Sequence, residues 1–287
     1  MSFIHVLILG IVQGLAELLP VSSSAHVVVT EKLLGLDPSS PPMTLLLVML
    51  HTGTMFAVIV FFWRRWRTIF FSNLEVFKRA VVDVIIATLL TGVVGGIIIK
   101  GIEKFALPQG KGSAQIEDLF SHLELIAPAL LAAGILILVA GLAARRAGAA
   151  EGSAQISPRQ SAWIGAVQGL CLPFRGFSRS GATISAALLL GISRASGEAF
   201  SFALAVVLTP PVVVREAWRL KQVTDAGDVH LGSVWGSTLI GAVVAFVAGL
   251  VALKWLSAWL ESGRWYLFGI YCLAASAAVF ALHLAGY

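Results

Sequence analysis

Six apolar stretches long enough to cross a lipid bilayer as helices constrain this chain to a polytopic membrane fold: roughly Thr44 to Trp63, Ala80 to Ile99, Leu123 to Ala143, Gly197 to Val214, Ser233 to Leu253 and Trp265 to Leu284. Inside hydrocarbon every backbone N–H and C=O must find a partner within the protein, which restricts spanning elements to helices and closed barrels. Composition agrees. Of 287 residues, 58% are hydrophobic and 12% charged, with a mean hydropathy of +0.90, which leaves no soluble domain over. The net charge of +5 sits in short clusters between apolar runs, such as Arg64-Arg65-Trp66-Arg67 and Arg145-Arg146. That pattern reads as loops facing anionic lipid, with no nucleic acid as partner. Cys171 and Cys272 lie in apolar context without metal-ligand spacing and read as packing residues. The N-terminal stretch has no basic region and no small-residue cleavage site, so it is expected to be mature protein rather than a signal peptide.

A second pattern is superimposed on the first. Gln13-Gly14-Leu15-Ala16-Glu17, then Pro20 and Ser22-Ser23-Ser24-Ala25-His26, returns in degraded form as Gln168-Gly169-Leu170-Cys171-Leu172, then Pro173, Arg175-Gly176 and Ser178-Arg179-Ser180-Gly181. A constant offset of 155 residues carries Gln13 onto Gln168 and Ser23 onto Ser178, the mark of a doubled unit. Around each motif, residues 1–36 and 159–192, two half-length apolar pieces flank a break rich in Pro, Gly and Ser. Neither piece alone reaches spanning length, so each region reads as a re-entrant helix-loop-helix hairpin. The fold class expected is therefore an all-α integral membrane protein: six transmembrane helices plus two re-entrant hairpins, as repeats 1–144 and 145–287 within a single membrane domain. Three spans per repeat is an odd number. A hairpin returns to its own side and three spans change sides, so the second repeat begins on the opposite face and the repeats are inverted. Arg64, Arg65, Arg67, Lys78, Arg79, Arg145, Arg146 and Arg159 weight one side, which by the positive-inside rule places both termini outside.

The polar residues of the two motifs are the candidates for chemistry. Gln13 and Glu17, four apart, share one helix face. Ser22 is placed to cap a helix running toward Gly35, with Ser23 in its first turn and His26 one turn on, where free N–H groups and the helix dipole favour phosphate. Ser178 caps the corresponding second helix, Gly176 gives the backbone room, and Arg179 and Thr183 share a face. The copies have specialised: Glu17 stands opposite Leu172, His26 opposite Gly181 and Ser24 opposite Arg179. One half thus offers an acid, a hydroxyl and an imidazole, and the other a guanidinium clamp for an oxyanion. Structural duties compete with these readings. Ser22 and Ser24 serve equally as caps, Gln13 and Gln168 as links between repeats, and Glu17 with Arg179 as an ion pair. Ionisable groups at membrane depth are nonetheless expensive, about 2.5 to 3.5 kcal/mol on insertion scales, which favours function for Glu17, His26 and Arg179. His51 and Glu198 are further candidates, Asp83 reads as interfacial, and the Trp and Phe clusters (Phe61, Phe62, Trp63, Trp66; Trp255, Trp259) read as aromatic belts.

Gln-x-x-x-Glu followed by Leu-Pro-Val-Ser-Ser-Ser-x-His, then Gly-x-Ser-Arg-Ser-Gly-x-Thr, resembles the undecaprenyl-diphosphate phosphatases of the bacitracin-resistance type. The resemblance extends over essentially the whole chain, including His51-Thr52-Gly53-Thr54 and Glu198-Ala199-Phe200-Ser201-Phe202. It implies removal of the terminal phosphate of a polyprenyl diphosphate lipid, leaving the monophosphate carrier for peptidoglycan and other envelope polymers. It also implies dependence on a divalent cation (Mg2+ or Ca2+), residence in the bacterial cytoplasmic (inner) membrane, and a site comprising Gln13, Glu17, Ser22, Ser23, His26, Ser178, Arg179 and Thr183. Arg175 departs from the resemblance, since the family usually has proline there. On this reading Ser23 is the nucleophile, His26 the proton acceptor or donor, and Arg179 the clamp on nonbridging oxygens. Ser22, Ser178, Thr183 and Gln13 bind substrate, while Glu17 holds the cation or orients His26. Attack by a water activated by His26 competes with this scheme. A transporter or flippase of a polyprenyl phosphate lipid is the rival function, because inverted repeats with broken helices also build transporters. A homo-oligomer is left open by the sequence. The type 2 phosphatidic-acid phosphatase pattern does not fit, because Ser178-Arg179 is not followed by the His and Asp that pattern requires.

Overall fold

The computed structural model describes residues 2–37, 40–105, 122–146, 152–225 and 235–286. Among these residues ten helices form, in chain order α1 Phe3–Leu18, α2 Ser23–Leu33, α3 Pro41–Ile69, α4 Leu74–Phe105, α5 Leu123–Arg146, α6 Pro158–Leu170, α7 Arg179–Leu189, α8 Arg194–Asp225, α9 Trp235–Glu261 and α10 Tyr266–Leu284. The one extended pairing among them is an isolated bridge between Ser153 and Ile192, which ties the approach to α6 to the exit of α7. Six helices, α3, α4, α5, α8, α9 and α10, are long and apolar enough to cross a membrane. The four helices of the motif regions have 16, 11, 13 and 11 residues, short of spanning length.

Several spans run past their apolar cores. α3 starts three residues before Thr44 on Pro41, whose missing N–H is tolerated at a first turn, and continues through the arginines to Ile69. Arginine stems cover apolar surface while the guanidinium reaches the headgroups, so a helix does not stop where hydrophobicity does. α4 begins where the Asn73 side chain accepts the Val76 N–H at 2.9 Å. The expected start of the fifth span at Ser233 lies outside the described residues. On α4, Val82, Ile85, Leu89, Val93 and Ile97 are exposed at helical spacing, a stripe that only lipid would welcome.

Small residues let the helix backbones approach, the packing mode that works where lipid is as apolar as leucine. A Cβ on Gly14 of α1 would meet the carbonyl of Ala245 in α9 at 2.7 Å. Gly165 of α6 lies closer still to the backbone of Ala87 in α4. α1 therefore seats on α9 and α6 on α4, each motif helix lying against a span of the other half. The aromatic-belt expectation is corrected for Phe62 and Trp66, at 0% and 7% exposure: they stack at 5.8 Å in the core, Phe62 also stacks on Phe202 at 5.0 Å, and the Trp66 indole donates to the Ala199 carbonyl at 3.0 Å. Trp63 and Trp255 do face outward. Asp83 is 7% exposed, on the face of α4 that receives α6.

Candidate active site

The break after α1 is held open by bonds from all around it. Ser180 Oγ donates to the Leu19 carbonyl at 3.4 Å, Cys272 Sγ to the Pro20 carbonyl at 3.3 Å, and His26 Nδ1 to the Ser22 carbonyl at 2.8 Å. These contacts satisfy carbonyls that a broken helix leaves exposed inside the protein. They also hold Ser22 at φ 67, the one positive φ outside glycine among the described residues, a conformation that costs about 1 to 3 kcal/mol and persists only where surroundings enforce it. Ser22 occupies the cap position of α2, but its hydroxyl meets Ser24 at 3.3 Å and makes no cap bond. The expected cap is thus corrected, because positive φ turns the side chain away from the helix, and the first N–H groups of α2 remain available to an anion. In the second motif Ser178 caps α7 as expected, accepting from Gly181 N at 3.2 Å. Gly176 adopts φ 106, where a Cβ would lie 2.6 Å from the Ile126 carbonyl oxygen.

This scaffolding brings the two motifs together on one carboxylate. Ser23 Oγ donates to Glu17 Oε2 at 2.5 Å and Gln13 Nε2 donates to the same oxygen at 3.2 Å. Arg179 Nη2 donates to Glu17 Oε1 at 3.2 Å, across 162 residues of chain. His51 Nε2 stands 3.8 Å from Glu17 Oε2, so this further candidate, on α3, joins the cluster. The second guanidinium nitrogen, Arg179 Nη1, is buried without a hydrogen-bond partner, a costly state for a charged donor unless a ligand completes it. Beside these groups opens a cavity of about 150 Å³, lined among others by Glu17, Ser22, Ser23, Ser24, Gln168, Ser178, Arg179 and Ser180. Arg175 and the half-exposed apolar Leu172 and Phe174 line it too.

Two sequence candidates stand apart from this cluster. Because a carbonyl can only accept, the contact to Ser22 makes His26 Nδ1 the protonated nitrogen; Nε2 then accepts from the Tyr271 hydroxyl at 2.7 Å. The His26 ring is stacked on Tyr271 at 5.7 Å and is not joined to Ser23. Thr183 is fully buried, donating to the Arg179 carbonyl at 2.8 Å and paired with Ser201 at 2.6 Å, where it steadies α7 on α8. Tyr271 escapes sequence reasoning, being one tyrosine in an apolar span with no motif around it. Glu198 does not line the cavity; it is paired with Arg65 and Ser257 at 2.5 Å each, while Arg65 also reaches Glu261 at 3.0 Å.

Six membrane-length helices, with a carboxylate, a hydroxyl and a guanidinium held together in their interior, define a multi-pass membrane protein with an internal polar cluster. The family model described as "BacA: Bacitracin resistance protein BacA" matches residues 6–278. "Undecaprenyl-diphosphatase 2" of Acinetobacter baylyi is 55% identical over 286 residues, 98% of each chain. "Undecaprenyl-diphosphatase" of Desulfosudis oleivorans is 35% identical over 95% of each chain, and that of Rhodopirellula baltica 31% over 99% of each. The chain belongs to the BacA bacitracin-resistance family.

Proposed function

We propose that this protein is an undecaprenyl-diphosphate phosphatase, releasing the terminal phosphate of the lipid diphosphate and leaving the monophosphate carrier for peptidoglycan and other cell-envelope polymers. The full-length relatives bear that activity as their name. The observation that carries the reading is the buried, unpartnered Arg179 Nη1 beside a serine hydroxyl already bonded to a carboxylate. A clamp with an open donor next to an activated nucleophile is what phosphoryl transfer requires.

In the mechanism that this geometry favours, Ser23 Oγ attacks the distal phosphorus and its proton passes to Glu17 Oε2, which hands it to the bridging oxygen of the lipid monophosphate as that P–O bond breaks. Water then attacks the phosphoserine with the ionised Glu17 again as base, and the proton it takes is returned to Ser23 Oγ as orthophosphate is freed. Arg179 and the N–H groups opening α2 and α7 hold the nonbridging oxygens. His26 acts through its grip on the Ser22 carbonyl, setting the turn from which Ser23 points. Among the described residues no group of three or more His, Cys, Asp or Glu could hold a metal, so Glu17 is the one protein carboxylate at the cavity that would hold a divalent cation. The ion would supply charge neutralisation there.

The two motif regions are re-entrant hairpins in this reading, and the two halves an inverted repeat spanning the cytoplasmic (inner) membrane of a bacterium. Support comes from the exchanged packing of α1 on α9 and α6 on α4, and from the meeting of both breaks at Glu17 and Arg179. Exposed Leu172 and Phe174 at the cavity suit a substrate whose tail stays in lipid. Purified protein in detergent is expected to release orthophosphate from a polyprenyl diphosphate, to stop on exhaustive chelation and to recover with magnesium or calcium. A protein that binds the lipid but releases no phosphate would be the transporter of the rival reading.

A further inference from the structure

The cavity wall carries a second guanidinium that this chemistry leaves unused. Arg175 lies in the turn between α6 and α7 and lines the same cavity as Arg179. At the offset of the internal repeat it stands where the first motif has Pro20, so the second copy places a charge where the first has ring carbons. Its turn is fixed by Gly176 at φ 106 against the Ile126 carbonyl, and α2 packs through Ala25 and Val28 into the same cluster as Ile126. The acid that answers Arg175 electrostatically comes from α2. Glu31 is 1% exposed, its Oε1 buried without a hydrogen-bond partner. It follows the cavity-lining Ser24 by seven residues, two helical turns along the same face. Burial pushes the Glu31 carboxyl up to about 7, and the Arg175 guanidinium opposes that shift. At the reacting end an acid from the first motif region, Glu17, is in direct contact with a guanidinium from the second, Arg179, at 3.2 Å, whereas Glu31 acts on Arg175 through its charge.

A diphosphate carries more negative charge than one guanidinium already shared with Glu17 can balance. If the distal phosphoryl sits at Ser23 and Arg179, the proximal one follows toward the lipid tail. The wall on that path is the segment with exposed Leu172 and Phe174, whose next residue is Arg175. We propose that Arg175 binds the proximal phosphoryl group of the lipid diphosphate, with Glu31 as the positioning residue that aims its guanidinium, so that two arginines make the site select a diphosphate over a monophosphate. The inference rests on the phosphatase reading, and gives it direction: the substrate spans both cations, whereas the monophosphate product keeps only one and leaves.

The experiment pairs binding with turnover in purified full-length protein. Inorganic diphosphate and orthophosphate are titrated calorimetrically, and farnesyl diphosphate hydrolysis is measured alongside, for the native chain, Arg175→Gln, Arg175→Lys and Glu31→Gln. Losing one charge-assisted contact, Arg175→Gln is expected to weaken diphosphate binding about tenfold or more, to leave orthophosphate within about threefold, and to raise KM far more than it lowers kcat. Arg175→Lys recovers part of the affinity, because charge survives without the two-pronged fork. Glu31→Gln shifts KM in the same direction by a smaller factor. A folded Arg175→Gln with the native preference for diphosphate overturns the proposal, and a Glu31→Gln that lowers the unfolding temperature without moving KM removes Glu31 from it. Native protein that prefers diphosphate yet releases no phosphate would refute the phosphatase reading while leaving the two-arginine site standing.

Discussion

At the scale of single residues, the partners of Ser23 and His26 distinguish two kinds of contribution. Ser23 touches Glu17 at 2.5 Å, whereas His26 is engaged by the Ser22 carbonyl and Tyr271. Ser23→Ala and Glu17→Gln are therefore expected to lower kcat by about 10²-fold or more, the usual worth of a nucleophile or general base, while lipid binding stays within a few-fold. Tyr271→Phe removes only the hydroxyl that steadies the imidazole, and should cost about tenfold or less. Phosphate release by folded, purified variants ranks the three, and a Tyr271→Phe loss equal to that of Ser23→Ala would return proton transfer to His26. Arg179→Lys is expected to fail nearly as badly as Ser23→Ala, because an ammonium cannot hold Glu17 and a phosphate oxygen with one planar fork. Full activity in that variant would make Arg179 a mere positive charge.

At the scale of elements, the loop between α6 and α7 decides where Arg179 stands, and Gly176 decides the loop. Gly176→Ala would force an L side chain into φ 106 and drive its Cβ to 2.6 Å from the Ile126 carbonyl oxygen. The expected outcome is a large loss of phosphate release together with a lowered unfolding temperature, because the carbonyl that the new Cβ strikes belongs to Ile126, a member of the cluster that seats α2 on α5. Unchanged turnover would mean that the loop tolerates movement and that Arg179 does not depend on it. Much at this scale was legible in the chain. All six spans, the two broken regions and the Gln13–Glu17 face follow from period and length, while on sequence alone the Glu17–Arg179 ion pair is only the structural alternative to their separate roles in chemistry. What escaped reading depended on tertiary neighbours. Ser22 looked like a cap until its φ of 67 turned the hydroxyl away, and Thr183 looked like a ligand contact until Ser201 claimed it. Phe62 and Trp66 carry the composition of an aromatic belt, and only their packing on Phe202 and Ala199 reveals a core.

For the molecule as a whole, the ends of three helices are gathered by charge. Arg65 near the end of α3 binds Glu198 in the first turns of α8 and Glu261 at the end of α9, so these ends lie on one side. Arg65→Ala strands a Glu198 carboxylate that is 1% exposed and is expected to destabilise the protein by about 3 to 5 kcal/mol, read as a lowered unfolding temperature in detergent. The inverted arrangement makes a separate prediction. In a background lacking Cys171 and Cys272, single cysteines replacing Asp37 or Lys104 should react with a membrane-impermeant maleimide from outside, and those replacing Asn73 or Ser153 should not. Equal labelling of positions 37 and 73 would sink it.

The Glu17–Arg179 contact also sets a timetable for assembly. Its partners are 162 residues apart, so at about 5 to 20 residues per second a ribosome delivers the cation roughly 8 to 30 s after the acid. During that interval the first hairpin has an acid to bury and no counter-charge to bury it against. The nascent hairpin should therefore wait in contact with water and close only when α7 arrives. A chain truncated after residue 144 ought to leave a cysteine at position 16 open to aqueous reagents, whereas the full chain, in which Ala16 is 4% exposed, should protect it.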